Sequence, residues 1–117
     1  MELNQQKALL LARNIKEFVD IVKNGKNHPF GQMSNPEKLY RLTLIVEEFR
    51  IGTIADELLR VNTYTWDEQA SRILIERFKT AFIHISEYVQ NNYNDLFFFS
   101  ARIYTLEHDC RLFPPTE

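Results

Sequence analysis

At 117 residues the chain has the length of one domain, and a compact domain of that size removes roughly two thirds of its unfolded surface from water. Its 44% apolar and 26% charged residues are those of a globular protein rather than a disordered tail. A formal net charge of -2 supplies no global positive field for nucleic acid or anionic lipid.

The first predicted helix spans 3–23, where Leu11, Ile15, Phe18 and Val22 recur on one face. It stops at Asn24-Gly25, because Gly accepts the left-handed conformation that ends a helix. The connection 24–34 is long for a helix pair and holds Lys26, His28, Pro29 and Phe30 between two glycines. Either Phe30 and Met33 plug one end of the bundle, or the basic and histidine groups meet an acidic partner or a phosphate. A second helix, 36–61, begins at Ser34-Asn35-Pro36-Glu37, with Asn35 capping and Pro36 at the first helical position, or with Ser34 capping and Glu37 reaching back. Its stripe of Leu39, Leu42, Val46 and Phe49 runs on through Ile54, Ala55, Leu58 and Leu59. Gly52 inside it marks a bend, a close approach of another helix, or a tolerated glycine.

Thr65-Trp66-Asp67-Glu68 has capping-box spacing and opens a third helix, 66–91. Ala70, Leu74, Phe78, Ala81, Ile85 and Tyr88 or Val89 form one stripe, while Ile75, Phe82 and Ile83 lie away from its centre. A stripe that wide implies burial on two sides. The fourth helix, 95–112, ends before Pro114-Pro115 with Phe99, Ile103, Leu106 and Cys110 at core spacing, and sets Phe97, Tyr104 and His108 on another face. Short connections between helices favour an all-α, antiparallel four-helix bundle, one domain over 1–117.

The single cysteine, Cys110, has no disulfide partner within the chain, and the apolar run Ala8 to Ala12 is too short for a secretion signal. The expected compartment is therefore the reducing cytoplasm. No apolar run approaches the roughly 20 residues that span a membrane, so no membrane association is expected.

Chemical signatures are sparse. No Gly-rich phosphate loop, G-x-S-x-G or paired Cys-x-x-Cys occurs, and the two Glu-x-x-His motifs of a di-iron bundle are absent, so no metal or cofactor is expected. Arg41, Arg50, Arg60, Arg72, Arg77 and Lys79 are interleaved with acids, which argues against a nucleic-acid partner. Arg102 with His108, and separately Arg77 with His84, resembles the Arg-x(4–6)-His pattern of the HEPN ribonucleases. That resemblance implies Arg102 holding phosphate and His108 assisting attack across a dimer. The chain departs from the family in placing Ile103 or Phe78 after the Arg, where a polar residue is usual.

The feature a single core explains least is the aromatic load of nine Phe, five Tyr and one Trp. Each such ring buries about 150–250 Å². The lead expectation is a non-enzymatic protein-binding module, a self-associating adaptor or small inhibitor of the immunity, antitoxin or phage kind. Phe97, Phe98, Tyr104 and Phe82 would be its anchors. The alternatives are a binder of a small phosphorylated ligand through Lys26, His28 or Arg77, and the ribonuclease.

Overall fold

The computed structural model describes residues 4–111 and 113, with all of their side chains except those of Lys26 and Phe30. Among these residues every regular element is helical: α1 (Gln5–Lys23), α2 (Pro29–Gln32), α3 (Pro36–Glu48), α4 (Ile51–Thr63), α5 (Glu68–Asn91) and α6 (Ser100–Arg111). The ends predicted at Leu3 and Leu112, and the stop at Pro114-Pro115, lie outside the described residues.

Local chemistry fixes most of the helix starts. Asn4 accepts a hydrogen bond from the Lys7 amide at 2.9 Å and opens α1. Asn35, rather than Ser34, caps α3, accepting from the amides of Glu37 and Lys38 at 3.0 and 3.2 Å with Pro36 at the first position. For α5 the cap is Asp67, which takes the Ala70 amide at 2.9 Å, so the helix opens two residues beyond the predicted start. The fourth predicted helix is divided too: a 3-10 turn at Phe97–Phe99 precedes α6.

The sequence predicts a single helix over 36–61, and the chain there is two. Phe49 and Arg50 leave helical geometry, and Arg50 adopts a left-handed conformation with φ 54° and ψ 42°. In a continuous helix five steps of 100° would place Ile51 about 140° from Val46. With the break both are buried, Val46 in the stripe of α3 and Ile51 at the start of α4. A left-handed non-glycine costs roughly 1–2 kcal/mol, and full burial of an isoleucine contributes about 1.5–3 kcal/mol, so the trade favours the bend. Five helices of twelve residues or more therefore pack together, joined by the one-turn α2.

Two long helices organise this packing. Each of α1 and α5 meets α3, α4 and α6. Between them lies one core to which α1, α3, α4, α5 and α6 contribute, with Phe18, Phe78, Phe99, Leu11, Ile15 and Leu58 fully enclosed. The wide stripe of α5 is buried on two sides through Ile75 and Phe82, whereas Ile83 points outward. At the α4–α5 corner a polar knot sits inside the apolar one. Buried Asn62 donates to the Leu58 carbonyl at 2.7 Å and to Ser71 Oγ at 2.9 Å, and the Ser71 hydroxyl is 2.8 Å from the Asp67 carbonyl.

The 24–34 connection is ordered by two glycines. A 3-10 turn at Gly25–Asn27 leads into α2, and the Gly31 Cα lies so close to the Gly25 backbone that a β-carbon there would collide with it. Met33 is exposed and plugs nothing, and the Phe30 side chain lies outside the described residues. The Asn35 amide donates to the Asp95 carbonyl at 3.0 Å, tying this connection to the one between α5 and α6.

Candidate functional site

Three surfaces collect candidate residues. The first is the aromatic turn between α5 and α6. Tyr93 follows the last turn of α5, and the 3-10 turn then presents Phe97 and Phe98 while burying Phe99 completely. The Tyr93 and Phe97 rings meet edge to face at 5.5 Å, and Phe97 and Phe98 do so at 5.1 Å. Phe97 is 49% exposed and Tyr93 equally so, which makes the three rings one contiguous patch. Tyr104, 69% exposed, stands on the outward face of α6 with His108 one turn beyond. Phe82 is excluded from this surface. It is 4% exposed, inside the core, stacked on Phe78 at 5.2 Å, and offers no face to a partner. Tyr93 was the member that sequence reasoning missed, and its position four residues before Phe97 was the available signal.

The second surface is a charged groove along the outer side of α1. Arg13, Lys16, Glu17, Asp20, Asn24 and His28 line its first part, about 460 Å³. A neighbouring cleft of about 280 Å³ shares Lys16 and Asp20 and adds Lys23, Glu47, Arg50 and Asp56. Acids match bases here, and Lys16 is already bonded to Asp56 at 3.2 Å. His28 lies on this side and Arg77 lines different clefts with no shared lining residue, so the two are not gathered into one phosphate site. The Lys26 side chain lies outside the described residues.

The third surface follows α5 past the α3–α4 bend. Phe49, Ile54, Glu76, Arg77, Thr80 and Ala81 line a cleft of about 390 Å³. It adjoins an apolar depression beside Gln69, Arg72 and Ile73. Above it, His84 stacks on Phe49 with ring centroids 4.8 Å apart and planes 13° from parallel.

Arg102 and His108 both belong to α6, where six residues separate their directions by about 120°. Arg102 turns towards α1 and forms an ion pair with Glu17 at 2.7 Å, while His108 faces outward. A guanidinium held by a carboxylate is less available to phosphate than a free one. Cys110 is enclosed by the core, and burial pushes its thiol up to about 12, so it stays protonated and weakly nucleophilic at neutral pH. Among the described residues no group of three or more His, Cys, Asp or Glu could hold a metal ion, and no helix is long and apolar enough to cross a membrane. Compared with known protein families, curated proteins and solved structures, the chain finds no match.

Proposed function

We propose that this chain is a non-enzymatic protein-binding module that self-associates, an adaptor or small inhibitor that works by occupying a partner. The carrying observation is the contiguous ladder of Tyr93, Phe97 and Phe98, each ring in contact with the next and two of them half exposed. Rings already held against one another lose little freedom on docking, and aromatic anchors dominate the energetics of interfaces. A patch of this kind can meet its own copy across a twofold axis, ring against ring. A standard interface buries roughly 800 Å² per partner, so the outward face of α6 with Tyr104 would complete the surface around the ladder.

The test is native mass spectrometry with sedimentation analysis of the purified protein and of a Phe97→Ser/Tyr104→Ser double variant. A dimer is expected for the unaltered chain. Loss of a central anchor is worth about 2 kcal/mol or more, so the variant should dissociate roughly 30-fold more readily. A monomer at about 100 μM with no partner chain retained would sink the proposal, as would a dimer unaffected by the double substitution. Both side chains are exposed, so circular dichroism of the variant should match that of the parent.

A further inference from the structure

The cleft beside the α3–α4 bend has a composition that the aromatic turn does not share. Its accessible apolar wall is the half-buried Phe49, backed by the buried Ile54 and Ala81, and the adjoining depression adds Ile73, an isoleucine left 55% exposed. The charges around it are mostly matched. Glu76 faces Lys79 at 3.5 Å, Arg72 holds Glu68 at 2.8 Å, and the Thr80 hydroxyl donates to the Glu76 carbonyl. Arg77 is different: it lines both depressions, and its guanidinium makes no ion pair or hydrogen bond among the described residues. One unmatched guanidinium set between apolar walls is complementary to a carboxylate flanked by apolar side chains, and a planar fork of donors binds a carboxylate in two parallel bonds.

We infer that this cleft is a second docking surface, taking an acidic, apolar peptide segment of a partner protein, with a carboxylate on Arg77 and apolar side chains against Phe49 and Ile73. A nucleic-acid strand fits less well, because a phosphate backbone asks for several cations in a row and the cleft supplies one beside Glu76. The surface is formed by the bend: Phe49 closes α3 and Ile54 lies in the first turn of α4, and the left-handed Arg50 between them sets both against α5.

A random library of 16-residue peptides displayed on phage tests this before any partner has been identified. Panning on the intact protein should enrich peptides with net negative charge and at least two apolar residues. Synthetic copies of the best binders should bind at least tenfold more weakly to Arg77→Glu, and also to Ile73→Ser. Both positions are exposed, and unchanged circular dichroism would show that the fold survives. Amide resonances of Thr80 and Ile73 should shift on titration while those of Tyr93 and Phe97 do not, which separates this surface from the aromatic turn. Enrichment of neutral or basic peptides, no enrichment at all, or equal affinity for Arg77→Glu would overturn the inference.

Discussion

Raising the pH from about 8 to about 10 should destabilise this protein through Cys110 in particular. The thiol lies in the core beside Leu106 and Ile103 on α6, and burial, partly offset by nearby Lys79, raises it from 9.0 to about 12. Unfolding releases it to its ordinary value. Between these two values the folded state keeps the proton while the unfolded state sheds it, so the unfolded state binds fewer protons and stability falls as pH rises. The loss is small below the unfolded value, and above it stability declines by about 1.4 kcal/mol for each further pH unit until the folded value is reached. At about pH 10 the expected loss is therefore roughly 1.4 kcal/mol. Tyr and Lys side chains also titrate in this range, so the measurement is a difference. Urea unfolding of the parent and of Cys110→Ala, each followed at both pH values under reducing conditions, isolates the cysteine. The parent should lose about 1–1.5 kcal/mol more than the variant on going to the higher pH. Equal losses would refute the reasoning, since they would place the thiol in contact with water.

Two glycines give predictions of opposite sign. Gly31→Ala would drive a β-carbon into the backbone of Gly25, which has no flexible end to move aside, and should destabilise by about 1–3 kcal/mol. A lowered melting temperature together with faster amide exchange across 24–34 would bear this out, and an unchanged melt would count against the crossing. Gly52→Ala should instead stabilise by about 0.4–1 kcal/mol, because the new methyl meets Val19 Cγ1 at an ordinary 3.5 Å and the backbone there is not left-handed. A lower urea midpoint for this variant would contradict the packing of α4 on α1.

The core was legible in the sequence because burial follows period. Leu11, Ile15, Phe18 and Val22 on α1, and Phe99, Ile103, Leu106 and Cys110 near the C-terminus, are all buried as their spacing predicts. The break at Arg50 was not legible. The apolar stripe runs through it without a gap, Gly52 draws attention two residues too far along, and an arginine carries no local preference for left-handed backbone. Only the tertiary demand to bury Ile51 together with Val46 decides it. For the same reason the Arg77 cleft was invisible, since its walls come from both sides of that bend. The aromatic turn was half legible. A surplus of rings could be counted, but the broad stripe of α5 leaves no way to tell that Phe82 is swallowed by the core while Phe97 is left outside. In a similar way Thr65 and Asp67 both offer a capping oxygen, and which one serves depends on where the corner from α4 delivers the chain.

The knot of Asn62, Ser71 and the Asp67 carbonyl acts as a key for the sliding of helices past one another. Apolar stripes interdigitate nearly as well when one helix slips by a turn, so hydrophobic packing alone discriminates weakly between registers. If α5 moved one turn along α4, the Asn62 amide would keep the Leu58 carbonyl of its own helix but its second N–H, buried in the native packing, would lose Ser71. A buried polar group without its partner costs about 1–3 kcal/mol, which thins the slipped population by roughly 5- to 150-fold. The cleft beside Arg77 depends on that alignment, because Arg77 rides on α5 while Phe49 closes α3 and Ile54 lies on α4, so a hidden amide helps to hold the two sides of the cleft opposite one another.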